Sequence, residues 1–445
     1  MTADAPAPVL ATPDASASGS PGRVTAGALP RPLVALFAVA SGLAVANVYY
    51  AHPVLDAIAA SFGIGQATVG IVVTVTQIGY GIGLVLLVPL GDVLDRRRLI
   101  VTQLVLSTVA LVVVGVAPST IVLLAGMVMV GVLAVVTQVL VAFAATVAGE
   151  HERGAVVGTV TSGVVIGILL ARTFAGAITD VAGWRAVYLV SAALTLTVSG
   201  LLSRFLPSLP RPAQRIGYRR LLRSMLALYT TERTLRIRAG LAMLIFAAFS
   251  VLWTPLLLPL REPPHSMSHS AIGLLGLVGA AGAVGAARAG RLADRGLGRV
   301  TTGVALALML VSWLPIALVR HSLLALVVGI VVLDLAVQAV HVTSQSMIYT
   351  IDPGARSRLV GAYMLFYSIG SAGGAIASTA VYARAGWTGV CLLGAAISGT
   401  ALALWAITER RRSSRHRPGG EWKRRTSRHR EGPAWRSPTS SPSSS

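Results

Sequence analysis

Residues 91–96 read Gly-Asp-Val-Leu-Asp-Arg, and residues 290–295 read Gly-Arg-Leu-Ala-Asp-Arg. Gly91, Asp95 and Arg96 of the first stretch match Gly290, Asp294 and Arg295 of the second. The members of each pair are 199 residues apart. A motif that returns once at such a distance indicates two copies of a large unit.

The match continues along the chain at an offset of 203. It relates Arg153 to Arg356, Gly158 to Gly361, Gly167 to Gly370, and Gly183-Trp184 to Gly386-Trp387. A series of matches in one order and at nearly one offset indicates an internal duplication.

Each copy contains six apolar stretches of about 20 residues, the length that a helix needs to cross a bilayer. The twelve predicted spans are 32–51, 67–90, 99–117, 119–148, 155–179, 185–206, 239–260, 270–289, 300–319, 322–350, 359–383 and 388–408. Because six is an even number, the two copies have the same orientation. The sequence therefore predicts an all-α integral membrane protein with twelve transmembrane helices in two parallel six-helix bundles.

The predicted bundles cover residues 31–206 and 239–408, with a basic linker at 207–238. Residues 1–30 and 409–445 are rich in Ser, Pro and Ala or Arg without a core-forming pattern, so we expect disordered tails. In the linker, Leu221, Leu222, Met225 and Tyr229 fall opposite three arginines. This amphipathic helix favours contact with anionic lipid, with a solvated linker as the alternative.

The composition supports this class: 54% of the 445 residues are hydrophobic and 12% are charged, yet the net charge is +21. With the N-terminus inside, 32 of the 37 basic residues lie on the cytoplasmic side. Such an excess predicts a multi-pass plasma (inner) membrane protein with both termini cytoplasmic, and it argues against nucleic-acid binding. The single cysteine, Cys391, excludes a disulfide framework and a cysteine metal cluster. We expect no cofactor and no metal.

Glycines are concentrated in spans two, five, eight and eleven. Small residues let helix backbones approach closely in lipid. We expect these helices to form the seam along which the two halves move, with static packing as the alternative.

Ionisable residues inside spans are costly and are functional candidates. Arg172 lies in span five and Asp334 in span ten. Gln338, His341 and Gln345 follow Asp334 at helical spacing, so the four side chains share one face within about 60° and over about 16 Å. This stripe predicts a wall facing water or substrate, with a structural polar seam as the alternative.

Further polar and aromatic residues are candidates for the same pathway. The offset of 203 maps His341 to Gln138, and the others are Asn47, Tyr50, Gln77, Tyr80, Trp253, Tyr363 and Tyr367. A mostly apolar cavity with few fixed charges suits a small amphipathic organic compound.

Asp334 is the candidate proton carrier, because desolvation favours the protonated form of a carboxyl group. His341 titrates near neutrality without such help. The sequence leaves three partners open for Arg172: Asp334, Asp56 or Asp180.

The repeated motif resembles the loop pattern of the major facilitator superfamily. Its residues here are Gly91, Asp95, Arg96, Arg98, Gly290, Asp294, Arg295 and Arg299. The glycines permit tight turns, the aspartates can cap helix N-termini, and the arginines can pair across the seam when the cytoplasmic side is closed. The first copy departs from the pattern because Arg96, Arg97 and Arg98 run together without the usual second glycine.

Residues 46–50, Ala-Asn-Val-Tyr-Tyr, followed by Pro53, resemble a bacterial branch that is grouped with drug-efflux and sugar-efflux antiporters. The resemblance implies a V-shaped pair of bundles, a central site and alternating access. Span four lacks the arginine typical of many proton-coupled drug antiporters, and span one has no acid before Asp56.

The sequence therefore predicts a monomeric secondary transporter that couples efflux of a small organic compound to protons. Proton symport for uptake of a metabolite or sugar is the alternative within transport, and a non-transporting membrane sensor or scaffold is the alternative of another class. We expect no enzyme activity, because no nucleophile motif, metal cluster or phosphate-cradling loop is evident.

Overall fold

A computed structural model describes residues 30–148, 152–207, 217–279, 288, 292–351 and 356–413. Every regular element in these ranges is helical. The predicted tails at 1–30 and 409–445 lie almost entirely outside the described residues.

The first half contains eight α-helices. They are α1 (Arg31–Ala46), α2 (Leu55–Phe62), α3 (Ile71–Leu86), α4 (Arg96–Gly115), α5 (Thr120–Ala134), α6 (Val136–Val147), α7 (Arg153–Ala182) and α8 (Trp184–Phe205). Short 3₁₀ turns, His52–Val54 and Val88–Asp92, follow α1 and α3.

A linker helix, α9 (Tyr218–Thr231), precedes the second half. That half contains α10 (Arg233–Trp253), α11 (Leu257–Arg261), α12 (His269–Val278), a π-helical turn at Ala293–Leu297, α13 (Gly298–Val311), α14 (Trp313–Ala317), α15 (Leu323–Tyr349) and α16 (Arg356–Ser413).

Nine described helical segments are long and apolar enough to cross a membrane, and α1 and α12 are shorter apolar helices. The last two predicted spans both lie on α16, which is interrupted at Gly386. The second part of predicted span eight falls mainly outside the described residues. Large apolar side chains face outward, among them Ile121, Val181 and Leu324, as a lipid-facing surface requires. The helical membrane fold is confirmed, and the exact number of twelve spans stays a prediction.

Local sequence explains where several helices begin. The side chains of Ser119, Ser268 and Ser322 each accept a hydrogen bond from the backbone N–H three residues later. This arrangement satisfies one of the unpaired donors at a helix N-terminus.

The duplication is visible in the backbone. Gly183, which ends α7, has φ +81°, and Gly386, which interrupts α16, has φ +59°. These two glycines are a pair related by the offset of 203. Only glycine adopts such angles without steric cost, so both halves reverse direction at the same point for the same reason.

Close helix packing within each half depends on glycine. A Cβ atom on Gly167 would overlap the backbone of Gly42 on α1, and one on Gly370 would overlap Met243 on α10. Gly167 and Gly370 are again a repeat pair, so α1 with α7 and α10 with the first part of α16 pack in equivalent ways.

The two halves meet along α7 with α12 and along α3 with α16. Thr173 donates a hydrogen bond to the carbonyl of Gly273 at 3.1 Å, and Thr74 donates to the carbonyl of Ala372 at 3.0 Å. The helices of this seam are those that correspond to spans five, eight, two and eleven.

The apolar face of helix α9 packs against the protein, and its contact with anionic lipid stays a prediction. Leu221 and Met225 are buried against the protein, while the Tyr218 hydroxyl donates to the carbonyl of Leu86 at 2.7 Å and the Tyr229 hydroxyl donates to that of Ala362. The helix therefore contacts both halves, because α3 and α16 supply the apolar surface that it needs.

Candidate functional site

Three side chains from three helices form the central group: Arg172 on α7, Trp253 on α10 and Asp334 on α15. Arg172 is 3% exposed and Asp334 is 5% exposed. The indole N–H of Trp253 donates a hydrogen bond to Oδ1 of Asp334 at 3.2 Å. Since α7 belongs to the first half and the other two helices to the second, the group spans the seam.

The guanidinium of Arg172 lies on aromatic faces. Its central carbon is 3.8 Å from the ring centroid of Trp253, 5.4 Å from that of Tyr49 and 5.5 Å from that of Phe249. A cation over an aromatic face is attracted by the ring quadrupole. Trp253 therefore contacts the basic and the acidic residue at once, one through its face and one through its edge.

Two nitrogens of Arg172, Nε and Nη2, are buried and have no hydrogen-bond partner in the part of the chain that the structure describes. Buried guanidinium groups normally have their donors satisfied, because an unpaired buried donor costs about 1–3 kcal/mol and more when it is charged.

Helix α12 leaves room for the central group. A Cβ atom on Gly276 would lie 3.0 Å from the Cβ of Arg172, and one on Gly279 would lie 2.8 Å from Oδ2 of Asp334. Both distances are shorter than normal Cβ contacts. A larger residue at Gly276 or at Gly279, which follows the end of α12, would therefore displace one of the charged side chains.

An aromatic layer lies beside the central group. The hydroxyls of Tyr49 and Tyr367 are 2.7 Å apart, and the ring of Tyr367 lies 4.2 Å from that of Phe246 and 6.0 Å from that of Tyr80. The amide of Gln138 donates to the Tyr80 hydroxyl at 3.3 Å. Residues of both halves thus close the centre, and they include three of the predicted pathway residues.

His341 lies at the edge of this layer. Its Nδ1 is 3.0 Å from the hydroxyl of Tyr363, and its ring is 5.1 Å from that of Phe246. Gln338 and Gln345 are half-buried on the same helix.

A cavity of about 400 Å³ lies between α3 and α16. It is lined by Gln77, Ile78, Gly81, Ile82, Val85, Leu86, Leu365, Ser368, Ile369 and Ala372. Gln77 lies about one turn before Tyr80 on α3, so one lining residue is next to the aromatic layer.

Two predicted pathway residues lie elsewhere. The side chain of Asn47 accepts a hydrogen bond from Ser191 at 2.8 Å, and the Tyr50 hydroxyl is 3.3 Å from the same Ser191 oxygen. Ser191 is on α8, so Asn47 and Tyr50 face the interior of the first bundle and not the central group.

Tyr49, Phe246 and Phe249 also contact the central group or the aromatic layer and are not among the predicted pathway residues. Phe246, Phe249 and Trp253 recur at steps of three and four, which places them on one helix face. The helical spacing that identifies the polar stripe in span ten therefore also identifies Phe246 and Phe249 as members of one face of α10.

A second charged group closes one end of the seam, and we call it the His269 cluster. Its members are Asp56, Asp180, Arg261 and His269. Nδ1 of His269 is 2.9 Å from Asp180 and Nε2 is 3.0 Å from Asp56. Nε of Arg261 donates to Asp56 at 3.0 Å. Asp56 and Asp180 thus bind second-half cations in this cluster, whereas Arg172 lies beside Trp253 and Asp334.

The surroundings of Asp56 shift its acidity. Burial alone raises the pKa of Asp56, but the hydrogen bond from His269 and the charges of His269 and Arg261 outweigh burial. The pKa of this carboxyl therefore lies below its ordinary value, so Asp56 is ionised at neutral pH.

The two motif loops differ in structure. Asp95 caps α4, accepting hydrogen bonds from the backbone N–H of Arg97 and Arg98, while Nε of Arg96 donates to the carbonyl of Gly91 at 2.8 Å. Arg98 lies 3.9 Å from Asp95.

In the second loop, Gly296 has φ +80° and Arg299 lies 3.9 Å from Glu409, while Arg295 is exposed. Gly290 and the side chain of Asp294 lie outside the described residues. The left-handed turn at Gly296 is available only to the copy that has a second glycine.

Within the described ranges no three His, Cys, Asp or Glu side chains are grouped so that they could hold a metal ion. The central group contains one carboxylate and no thiol, which is the donor set of a charge-binding site more than of a metal site.

Sequence and fold comparisons agree with this architecture. The chain is 45% identical over 373 residues to the uncharacterised transporter YgaY of Escherichia coli O157:H7, covering 84% of this chain and 94% of that protein. It is 33% identical over 422 residues to the probable transporter SCO4007 of Streptomyces coelicolor, covering 91% and 93%. A solved bacterial homologue of the human lysosomal transporter Spinster, inward-facing and unoccupied, superposes with a TM-score of 0.69 at 16% identity, over 86% of this chain and 98% of that one.

Residues 37–301 and 239–443 match the sequence profile of the Major Facilitator Superfamily. The family and its membrane transport activity are thus confirmed and enzyme activity is not expected, while the drug-efflux and sugar-efflux branch stays a prediction. The chain belongs to the Major Facilitator Superfamily and is a multi-pass membrane transporter of small molecules.

Proposed function

We propose that this transporter moves a small amphipathic organic compound through the centre of the molecule by proton-coupled alternating access, with Asp334 as the group that carries the proton. The observation that carries this proposal is the central group itself. It places a buried guanidinium on the face of one indole ring and a buried carboxyl at the edge of the same ring, and the two charged groups come from opposite halves.

Two opposing influences act on the carboxyl of Asp334. Removal from water favours its neutral form, and the positive charge of Arg172 favours its ionised form. A carboxyl held between such influences can exchange a proton when the distance to the cation changes. Because Arg172 and Asp334 belong to different halves, movement along the seam changes that distance.

The His269 cluster supplies a closed end for such a cycle. Its carboxylates come from the first half and its cations from the second, so these contacts exist only while the halves are together at this end. We predict that this end faces outward, and that the loops containing Asp95 and Asp294 form the cytoplasmic gate in the opposite state.

The remaining expectations complete the proposal. The protein is a monomer in the plasma membrane with both termini cytoplasmic. The exposed arginines of α9, Arg219, Arg220 and Arg223, contact anionic headgroups at the inner leaflet.

The test begins with a compound screen. The protein is expressed in cells that lack their own exporters, and resistance and uptake are compared over a compound panel. The compound that responds is then followed in proteoliposomes with an imposed pH gradient. Asp334→Asn is expected to abolish uphill accumulation while retaining exchange of labelled for unlabelled compound. Full uphill accumulation by this variant contradicts the proposal.

Glu262→Gln is the matched control, because Glu262 is a partly exposed carboxylate that faces Arg320 at 3.8 Å within the second half. This variant is expected to transport normally. A protein that binds the compound without flux through the membrane would support the sensor or scaffold alternative.

A further inference from the structure

We infer that Arg172 is the binding site for an anionic group of the substrate, and that the anion and the proton on Asp334 travel together in the same direction. This inference rests on the proposed function and names the substrate class: a monovalent organic anion, such as a carboxylate, with an apolar or aromatic body.

The guanidinium of Arg172 has hydrogen-bond donors that no described residue uses. Arg172 is more than nine-tenths buried, its Nε and Nη2 have no partner in the described chain, and its charge lies on the faces of Trp253, Tyr49 and Phe249. Aromatic faces stabilise the cation without using its N–H groups. The donors therefore remain available, and a carboxylate is the group that matches their planar geometry.

The residues around Arg172 are aromatic and suit the body of an organic anion. Tyr49, Trp253 and Phe249 contact the guanidinium, and Tyr49 hydrogen-bonds Tyr367 in the aromatic layer. An anion on Arg172 would extend its body into this layer, where apolar and aromatic groups bury well. A cationic substrate is disfavoured here, because it would have to approach a buried guanidinium.

The titratable groups around Arg172 determine how anion binding and protonation are coupled. The charged and titratable groups that face Arg172 are Asp334 on α15, Tyr367 on α16, and Tyr49 and His52 in the turns after α1. Asp334 is the acidic member of this set. An anion and the ionised form of Asp334 would compete for one cation, so anion binding favours the protonated carboxyl and protonation favours anion binding.

Positive linkage between the two ligands is the signature of symport, whereas antiport requires that one ligand displaces the other. The structure thus favours the symport alternative over the proton-driven efflux that the sequence predicts. An inward proton gradient would then drive uptake of the anion.

The test uses a matched pair of probes, 1-naphthoate and its neutral isostere 1-naphthamide, with the purified full-length protein in detergent. Binding of each is measured by isothermal titration calorimetry. The native protein is expected to bind 1-naphthoate more tightly than 1-naphthamide. Arg172→Gln is expected to weaken naphthoate binding about 10- to 100-fold and to leave the weaker naphthamide binding unchanged, while Arg172→Lys retains part of the preference.

Arg185→Gln is the matched control. Arg185 also lies on aromatic rings, 4.5 Å from the centroid of Trp184 and 5.5 Å from that of Phe62, but it is exposed and donates to the carbonyl of Ala117. This variant is expected to bind both probes as the native protein does. A thermal melt of each variant separates loss of binding from loss of fold.

Three results would overturn the inference: equal binding of the two probes, undiminished naphthoate binding by a folded Arg172→Gln variant, or no naphthoate binding at millimolar concentration. These results are independent of the flux test, because the calorimetry uses no gradient. If Asp334→Asn loses proton-driven flux but naphthoate does not bind to the native protein, the transport proposal is supported and the anion site is refuted.

Discussion

The His269 cluster and the central group are built from the same kinds of residue but differ in how their charges are paired. In the His269 cluster each ring nitrogen of the histidine faces a carboxylate, and Arg261 faces Asp56 at 3.0 Å. In the central group the carboxylate and the guanidinium are both held by Trp253, and two guanidinium nitrogens have no partner among the described residues.

The two groups share helix α7, where Asp180 follows Arg172 by eight residues, about 12 Å along the helix. Pairing is satisfied where the halves are held together, and it is left incomplete where a ligand can complete it. The difference indicates that the first group closes the transporter and that the second one binds.

Of the changes considered, replacement of His269 should have the largest effect, because it weakens the contacts that hold the two halves together. His269→Ala leaves two carboxylates without their shared donor, so the closed state loses two hydrogen bonds to charged groups, each worth about 1.5–3 kcal/mol. We expect the halves to separate more often at this end. In a background with Cys391→Ser and Ala175→Cys, a water-soluble maleimide should label position 175 at least about 10-fold faster after the change.

Position 175 suits this measurement because Ala175 is fully buried on α7, between Arg172 and Asp180. His265→Ala is the control, since Nε2 of His265 lies 2.7 Å from the carbonyl of Val319 within the second half. Labelling that stays slow in His269→Ala, or that rises equally in both variants, would show that the cluster does not close the seam.

A smaller effect is expected from acid. The pKa of Asp56 lies below its ordinary value, so the stability that Asp56 contributes is fully present above the pKa of an unfolded aspartate, about 3.9, and is lost as the pH falls through the lower folded pKa. Asp56→Asn should therefore have a lower melting temperature than the native protein at neutral pH. As the pH falls into the acid range, its melting temperature should drop by less than that of the native protein. Parallel pH profiles for the two proteins would refute this role.

The smallest effect on stability is expected at the centre. Arg172→Met removes two buried unpaired donors and keeps an apolar stem of similar length, and Asp334 can take up a proton so that no uncompensated charge is left buried. We expect the free energy of unfolding to change by no more than about 1 kcal/mol, although anion binding is lost. A large drop in melting temperature would show that Arg172 stabilises the fold.

The sequence predicts the fold well because its signals are local. Apolar length identifies the helices, and the pair Gly183 and Gly386 shows the duplication that the backbone repeats with positive φ angles. Arg172 and Asp334 were found because charge is rare in an apolar helix.

What the sequence could not supply is the partner of each charge, because pairing depends on helix rotation across the seam. Asp56 and Asp180 were candidate partners for Arg172, yet they bind His269, and Asn47 turns toward Ser191. Tyr49 stands next to a predicted pathway residue and contacts Arg172, while Tyr50 faces α8. A rotation of one residue decides between the two, and composition does not encode it.

The central claim is that an anion on Arg172 and a proton on Asp334 bind together. It is tested most directly by counting protons as 1-naphthoate binds, using calorimetry in buffers of different ionisation enthalpy at a pH where Asp334 is partly ionised. The account predicts net proton uptake by the native protein and none by Asp334→Asn, which still binds the anion. Proton release on binding, or equal uptake by both proteins, would contradict it.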